Sequence, residues 1–183
     1  MAETRTSPSS LLPLASTLLV GTVALYMALV AFSNITDFGT NQQFVRHVLA
    51  MDTTFKDEDL MWRAIESKGL QDAAYVLIIV WETVTALVLI AATCFWARAL
   101  GSRAFPTARR YSTLGLLMVL LLFGAGFLAI GGEYFVMWQS ADWNGLDAAL
   151  RVFLLSGVVL VVTHLPTGGG ETGGGETGGG ETG

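Results

Sequence analysis

The chain has 183 residues, 52% of them hydrophobic and only 14% charged, with a formal net charge of −5 at pH 7. Soluble domains carry about 25% charged residues, so this composition, with the charges clustered, excludes an ordinary soluble domain and indicates an integral membrane protein. No basic patch suggests nucleic acid as a partner, and the lone Cys94, set in an apolar run, leaves no intrachain disulfide and no cysteine-pair metal site.

The first apolar segment runs from about Leu11 to Phe32. The preceding residues 1–10 hold one Arg and one Glu, a weak n-region, and no clear small-x-small site follows, so a retained transmembrane helix is expected rather than a signal peptide. A second span is expected at about 73–97, a third at 114–137, interrupted by Gly131-Gly132-Glu133, and a fourth at 148–164. Lipid gives the backbone no partner, so runs of this length cross as helices. The expected fold is all-α, a polytopic four-helix bundle in which residues 11–166 form the membrane domain.

Residues 33–72 form a long loop with helical periodicity. Phe44, Val45, Val48 and Leu49 share one face of a helix over 40–51, with Thr40 or Asn41 as its cap. Leu60, Met61, Ala64 and Ile65 share a face of a second amphipathic helix over 57–67. This loop mixes four bases with seven acids, whereas the 98–110 connection carries Arg98, Arg103, Arg109 and Arg110 and no acid. The arginines place that connection, and with it both termini, on the cytoplasmic side; the 33–72 loop is then outside. Trp62, Tyr134, Trp138 and Trp143 fit the outer interface. The tail from Thr167 repeats Thr-Gly-Gly-Gly-Glu three times and has no apolar side chain, so it is expected to be disordered, a native extension or an appended linker.

Few residues promise chemistry. Glu82 interrupts the second span, about ten residues or roughly 15 Å below its outer end. A carboxyl at that depth costs a few kcal/mol and needs a partner or a cavity. It serves either as a proton, ion or substrate group, or as a protonated acid hydrogen-bonded across helices, with Thr83 and Thr85 as nearby donors. Glu133 and Arg151, at the facing ends of spans three and four, are expected to pair as ions. Arg46 and His47 are adjacent and so point in different directions on a helix. His47 reads as a packing or solvated residue before a ligand, and His164 as an interfacial one. No metalloprotease, haem-attachment, dinucleotide or phosphate-loop pattern occurs, and no cofactor or metal is expected.

Several strings taken together carry a resemblance. They are Asn34-Ile-Thr-Asp37, the 44–55 run from Phe44 to Phe55, Leu60-Met-Trp-Arg-Ala-Ile65, Trp81-Glu82, the 131–140 run, and Trp143-Asn-Gly145. In order and spacing, from about Leu11 to Pro166, the chain resembles the bacterial "predicted small integral membrane protein" family, a domain of unknown function. The resemblance implies a four-span protein of the bacterial inner membrane and no particular activity. Its motif residues Asn34, Asp37, Arg46, His47, Arg63 and Glu133 gather in the outer layer, and only Trp81 and Glu82 reach below it. Two functions remain in view. One is an accessory or assembly subunit of a larger membrane complex, for example a respiratory one, or a homo-oligomer. The other is a small transporter or membrane enzyme working through Glu82.

Overall fold

The computed structural model describes residues 8–102 and 105–166. Arg103, the first seven residues and the Gly-rich tail lie outside the described residues, and with them the expectation of a disordered tail. Five α-helices are present: α1 (Pro8–Thr36), α2 (Phe38–Ala50), α3 (Lys68–Ser102), α4 (Phe105–Leu120) and α5 (Leu146–His164). Beyond Leu120, α4 continues as a π-helix over Leu121–Tyr134. No strand occurs among the described residues.

Four of these helices are long and apolar enough to cross a membrane: Leu11–Thr36, Lys68–Ser102, Phe105–Tyr134 and Leu146–His164. They are the four expected spans, each beginning at or before the residue expected. The molecule is an all-α membrane helical bundle. α1 packs along α3, α3 along α4, and α5 against α4 and its π-helical continuation. Outward residues such as Leu18, Leu77 and Val161 are more than 60% exposed, as a lipid-facing surface requires. The core is built from Val20, Met27, Leu89, Trp96, Leu116 and Val159. Close approach depends on small residues: a Cβ on Gly115 would stand 2.6 Å from Leu89 Cδ2.

α2 lies across one end of the bundle, against α3 and α1. Its start is Asp37 rather than Thr40 or Asn41, and no side chain caps it. It ends at Met51, which is fully buried in a left-handed conformation at φ 52°. The second amphipathic helix does not form. Residues 57–60 make a turn, Met61–Arg63 one 3-10 turn, and Ala64 is extended. The Asp57 carboxylate accepts from the Asp59 N–H (3.0 Å) as a helix cap does, and the Asp57 carbonyl accepts from Met61 N (3.1 Å), so a turn starts. It is cut short by tertiary bonding: Ala64 is extended, Ile65 N donates to Leu49 O (2.8 Å), and Gln71 Nε2 donates to Ile65 O (2.6 Å). The same apolar residues are still buried together: Leu60, Met61, Ala64 and Ile65 pack on Met51, Phe135 and Val136. This layer of α2 and residues 51–67 caps the bundle.

Candidate functional site

Glu82 lies one residue beyond Trp81 on α3, about 100° around the helix, and the two side chains diverge. Trp81 donates its indole N–H to Met118 O of α4 (3.0 Å). Glu82, only 3% exposed, turns toward α1, where Asn34 Nδ2 donates to its Oε2 at 2.6 Å. The Asn34 side-chain oxygen in turn accepts from Asn41 Nδ2 of α2, also at 2.6 Å. Tyr75 donates its hydroxyl to the Asn34 backbone carbonyl (3.2 Å). A polar line therefore runs from the buried carboxyl, through α1, to the cap helix. Thr83 and Thr85 are not the donors expected: each bonds the carbonyl four residues back, on Ile79 and Trp81.

This geometry places the carboxyl against the end of α1. Asn34 stands two residues before the end of α1, roughly 3 Å along its axis, whereas Glu82 is roughly 21 Å along α3 from Lys68. The first turns of α3 flank the cap, and Glu82 lies where bundle meets cap.

A cavity of about 310 Å³ adjoins Glu82. Asn34, Asn41, Tyr26 and Tyr75 line it with the rings of Phe44, Phe123 and Phe127. Gly145 closes one side, where an added Cβ would stand 2.9 Å from Phe44 Cζ. Glu82 Oε1 accepts no hydrogen bond from any described residue. A second, apolar cavity of about 230 Å³ shares Phe44, Val45, Ile78 and Phe127 with the first.

The other candidate residues hold the cap in place. Arg46 makes a two-pronged contact with Asp72 of α3, Nε to Oδ1 at 2.9 Å and Nη2 to Oδ2 at 2.8 Å. Those carboxylate bonds hold the guanidinium pKa above its usual value. Gln42 Nε2 donates to the same carboxylate at 2.9 Å. His47 points elsewhere, as its adjacency predicts, pairing with Asp52 (2.8 Å) and stacking on Trp143 at 4.5 Å. Arg63 donates to Tyr134 O (3.3 Å) and lies over the Trp62 and Tyr134 rings, while its buried Nε has no partner. Among the described residues the Asp37 carboxylate accepts only from the Thr40 hydroxyl, at 2.9 Å.

The expected Glu133–Arg151 ion pair is absent. Both side chains are exposed, and Arg151 Nε donates to Asp147 O on its own helix (3.2 Å). The reason is rotational: Glu133 ends a π-helix whose wider turn changes the facing of its last residues, and residues 135–145 then intervene before α5. Among the described residues no group of three or more His, Cys, Asp or Glu side chains could hold a metal ion.

Sequence reasoning therefore located Glu82, Asn34 and Arg46 but missed Asn41, Tyr75 and Asp72. The 34-to-41 spacing spans the helix break at Asp37, so no helical register links the two asparagines. Asp72 read as the edge of a loop because α3 extends beyond its apolar stretch. A family profile now bears on these residues. The chain matches the family described as predicted small integral membrane protein (DUF2165) over residues 12–166, and belongs to that family. No curated protein and no solved structure matches it.

Proposed function

We propose that this member of the predicted small integral membrane protein family is an accessory or assembly subunit of a larger membrane complex, with the cap as its docking face. The observation carrying this reading is a fixed layer that displays large apolar rings. Phe55 and Trp62 are each 72% exposed, although the segment bearing them is anchored. Phe55 N donates to Gln139 Oε1 (3.0 Å), Thr53 and Ser140 share a hydroxyl bond (2.8 Å), and Ile65 N donates to Leu49 O (2.8 Å). Rigid, displayed aromatic residues are what protein interfaces select. A photocrosslinking residue in place of Trp62, activated in native membranes, should give a defined heteromeric band on a blue-native gel. Adducts to lipid alone, or to a second copy alone, would overturn the reading.

The same reading sets the protein in the bacterial inner membrane, with the cap outside and both termini inside. Arg98, Arg109 and Arg110 at the opposite end support this, against the acids of the cap. In a Cys94→Ala background, Glu58→Cys should react with a membrane-impermeant thiol reagent on intact cells with permeable outer membranes, and Ser102→Cys should not. The reverse pattern would invert the orientation.

A second reading rests on a separate observation, the free oxygen of Glu82 beside a cavity. In it the protein is a small transporter or membrane enzyme and Glu82 is its working group. Glu82→Gln keeps the size and the Asn34 contact but removes the charge. It should fail to restore a knockout phenotype that the wild-type chain restores; full restoration would end this reading.

A further inference from the structure

We propose that the cavity beside Glu82 is a binding site for an organic ammonium group, a proposal that rests on the second reading above. Four observations converge on that chemistry. The first is direction. Asn34 spends its amide oxygen on Asn41, which turns its NH₂ toward Glu82, so the carboxyl is met as an acceptor. That arrangement satisfies an ionised carboxylate, and equally the carbonyl oxygen of the protonated acid, which also accepts.

The second is the missing counter-charge. No Lys, Arg or His lines the cavity. The nearest bases of the cap are engaged elsewhere, Arg46 with Asp72 and Arg63 with Tyr134, and Arg151 is exposed with its Nε on Asp147 O. A carboxyl this buried is either neutral or held by a cation, and when it ionises here no side chain of the cavity lining supplies that cation.

The third is the wall. Tyr26, Tyr75, Phe44, Phe123 and Phe127 surround the space beside the carboxyl. Aromatic rings with one acid form the usual surroundings of alkylated ammonium groups, which are too weakly hydrated to need many hydrogen bonds. The fourth is size and access. The volume of about 310 Å³ falls at the lower end of ligand cavities, and the exposed residues Tyr26, Ser33 and Ala148 mark an opening between α1 and α5. That opening suits a free amine entering from outside and equally an ammonium borne on a lipid headgroup.

The test has two arms. The free-ligand arm titrates choline, and its uncharged carbon isostere dimethylbutanol, into the maltoside-solubilised protein by calorimetry. Choline should bind at least about tenfold more tightly than the isostere. Glu82→Gln should remove that preference, and Tyr26→Leu should weaken choline binding. The lipid arm reconstitutes the wild-type protein in nanodiscs of mixed phosphatidylcholine and phosphatidylglycerol, and reads the retained lipid by native mass spectrometry. Selective retention of phosphatidylcholine, lost in Glu82→Gln, would identify a headgroup as the source. The wild-type comparison of choline with its isostere stands even if a variant misfolds. Equal binding of the two, or no binding of either with no lipid preference, overturns the proposal. If that occurs while Glu82→Gln still fails in complementation, the ligand class is wrong and the working role of Glu82 survives. If Glu82→Gln complements fully, both fall.

Discussion

At the end of the bundle away from the cap, Trp96 is fully buried and donates its indole N–H to Ser112 Oγ (2.8 Å), while Ser112 donates to Ala108 O (2.9 Å). Phe105 packs on the Trp96 ring at 5.8 Å, and Gly115 lets Leu89 approach. Every polar atom of the Trp96–Ser112 pair is used. At the capped end Glu82 and Asn34 are almost as deeply buried, yet they border a cavity of about 310 Å³ and leave a carboxyl oxygen unused. The same helix, α3, supplies both regions. The packing of α3 is thus tight around the neutral, fully bonded Trp96–Ser112 pair and open around the acidic Glu82, whose second oxygen is unused. An open cavity beside an unused acid gives up dispersion contacts that a closed core would make.

The sharpest way to break this contrast is to open the tight end. Trp96→Ala removes the largest fully buried side chain together with its bond to Ser112. Replacing a buried Trp or Phe by Ala costs about 3–5 kcal/mol in water-soluble cores. Lipid tails are as apolar as the core, so the transfer part of that figure is diminished here and the packing part remains. A loss of about 3 kcal/mol is expected, measured by unfolding in mixed micelles. A loss below about 1 kcal/mol would mean that the tight end also has slack, and the contrast would disappear.

How much of this was readable in the chain follows from the same contrast. The four spans were legible because length and apolarity alone decide them. Glu82 was legible because an acid in an apolar run stands out. Its partner was not, since Asn34 lies beyond the apolar residues of the first span and looks like loop. The helix expected over 40–51 was recovered from its periodicity, although it begins two residues earlier, at Phe38. The 57–67 segment was misread because its apolar spacing fits a helix, while the bonds of Ile65 to Leu49 and Gln71, which hold the backbone extended at Ala64, are tertiary and leave no local mark. The Glu133–Arg151 pair was misread because a π-helix of 14 residues leaves no mark in the spacing of charges. The cavity was invisible in principle, since it arises from α1, α2, α3, the π-helical continuation of α4, and α5 with the Gly145 turn together.

A smaller effect is expected where the two ends meet. Asn34→Ala deletes the donor to Glu82 and the acceptor of Asn41 at once. Leaving a buried polar group unpartnered costs about 1–3 kcal/mol, but the neighbouring cavity can let solvent reach Glu82. A loss of about 1–2 kcal/mol is therefore expected, with Glu82→Gln well below it because glutamine still accepts from Asn34. Unfolding in the same micelles ranks the two. If Glu82→Gln costs as much as Asn34→Ala, then the charge itself carries stability, and Glu82 is structural rather than held in reserve for a ligand.

The smallest effect should come from the Arg46–Asp72 contact, and it separates cap from bundle. Both side chains are partly exposed, and screened ion pairs contribute little to global stability even when bidentate. Their contact nevertheless joins the middle of α2 to the first turns of α3 and shares its carboxylate with Gln42. Arg46→Lys keeps the charge and loses the two-pronged geometry. Hydrogen exchange in nanodiscs should then show faster exchange at the α2 amides, with α4 and α5 unchanged and the unfolding midpoint unmoved. Raising the salt concentration on the wild-type protein should move α2 in the same direction, because screening acts on the charges but not on the Asn41–Asn34 bond. If salt and Arg46→Lys leave α2 untouched, the asparagine line alone holds the cap, and the cap and the carboxyl form one mechanical unit. If instead α1 and α3 exchange faster along with α2, the two ends of the bundle are coupled through this contact, and the division between a tight core and an open capped site fails.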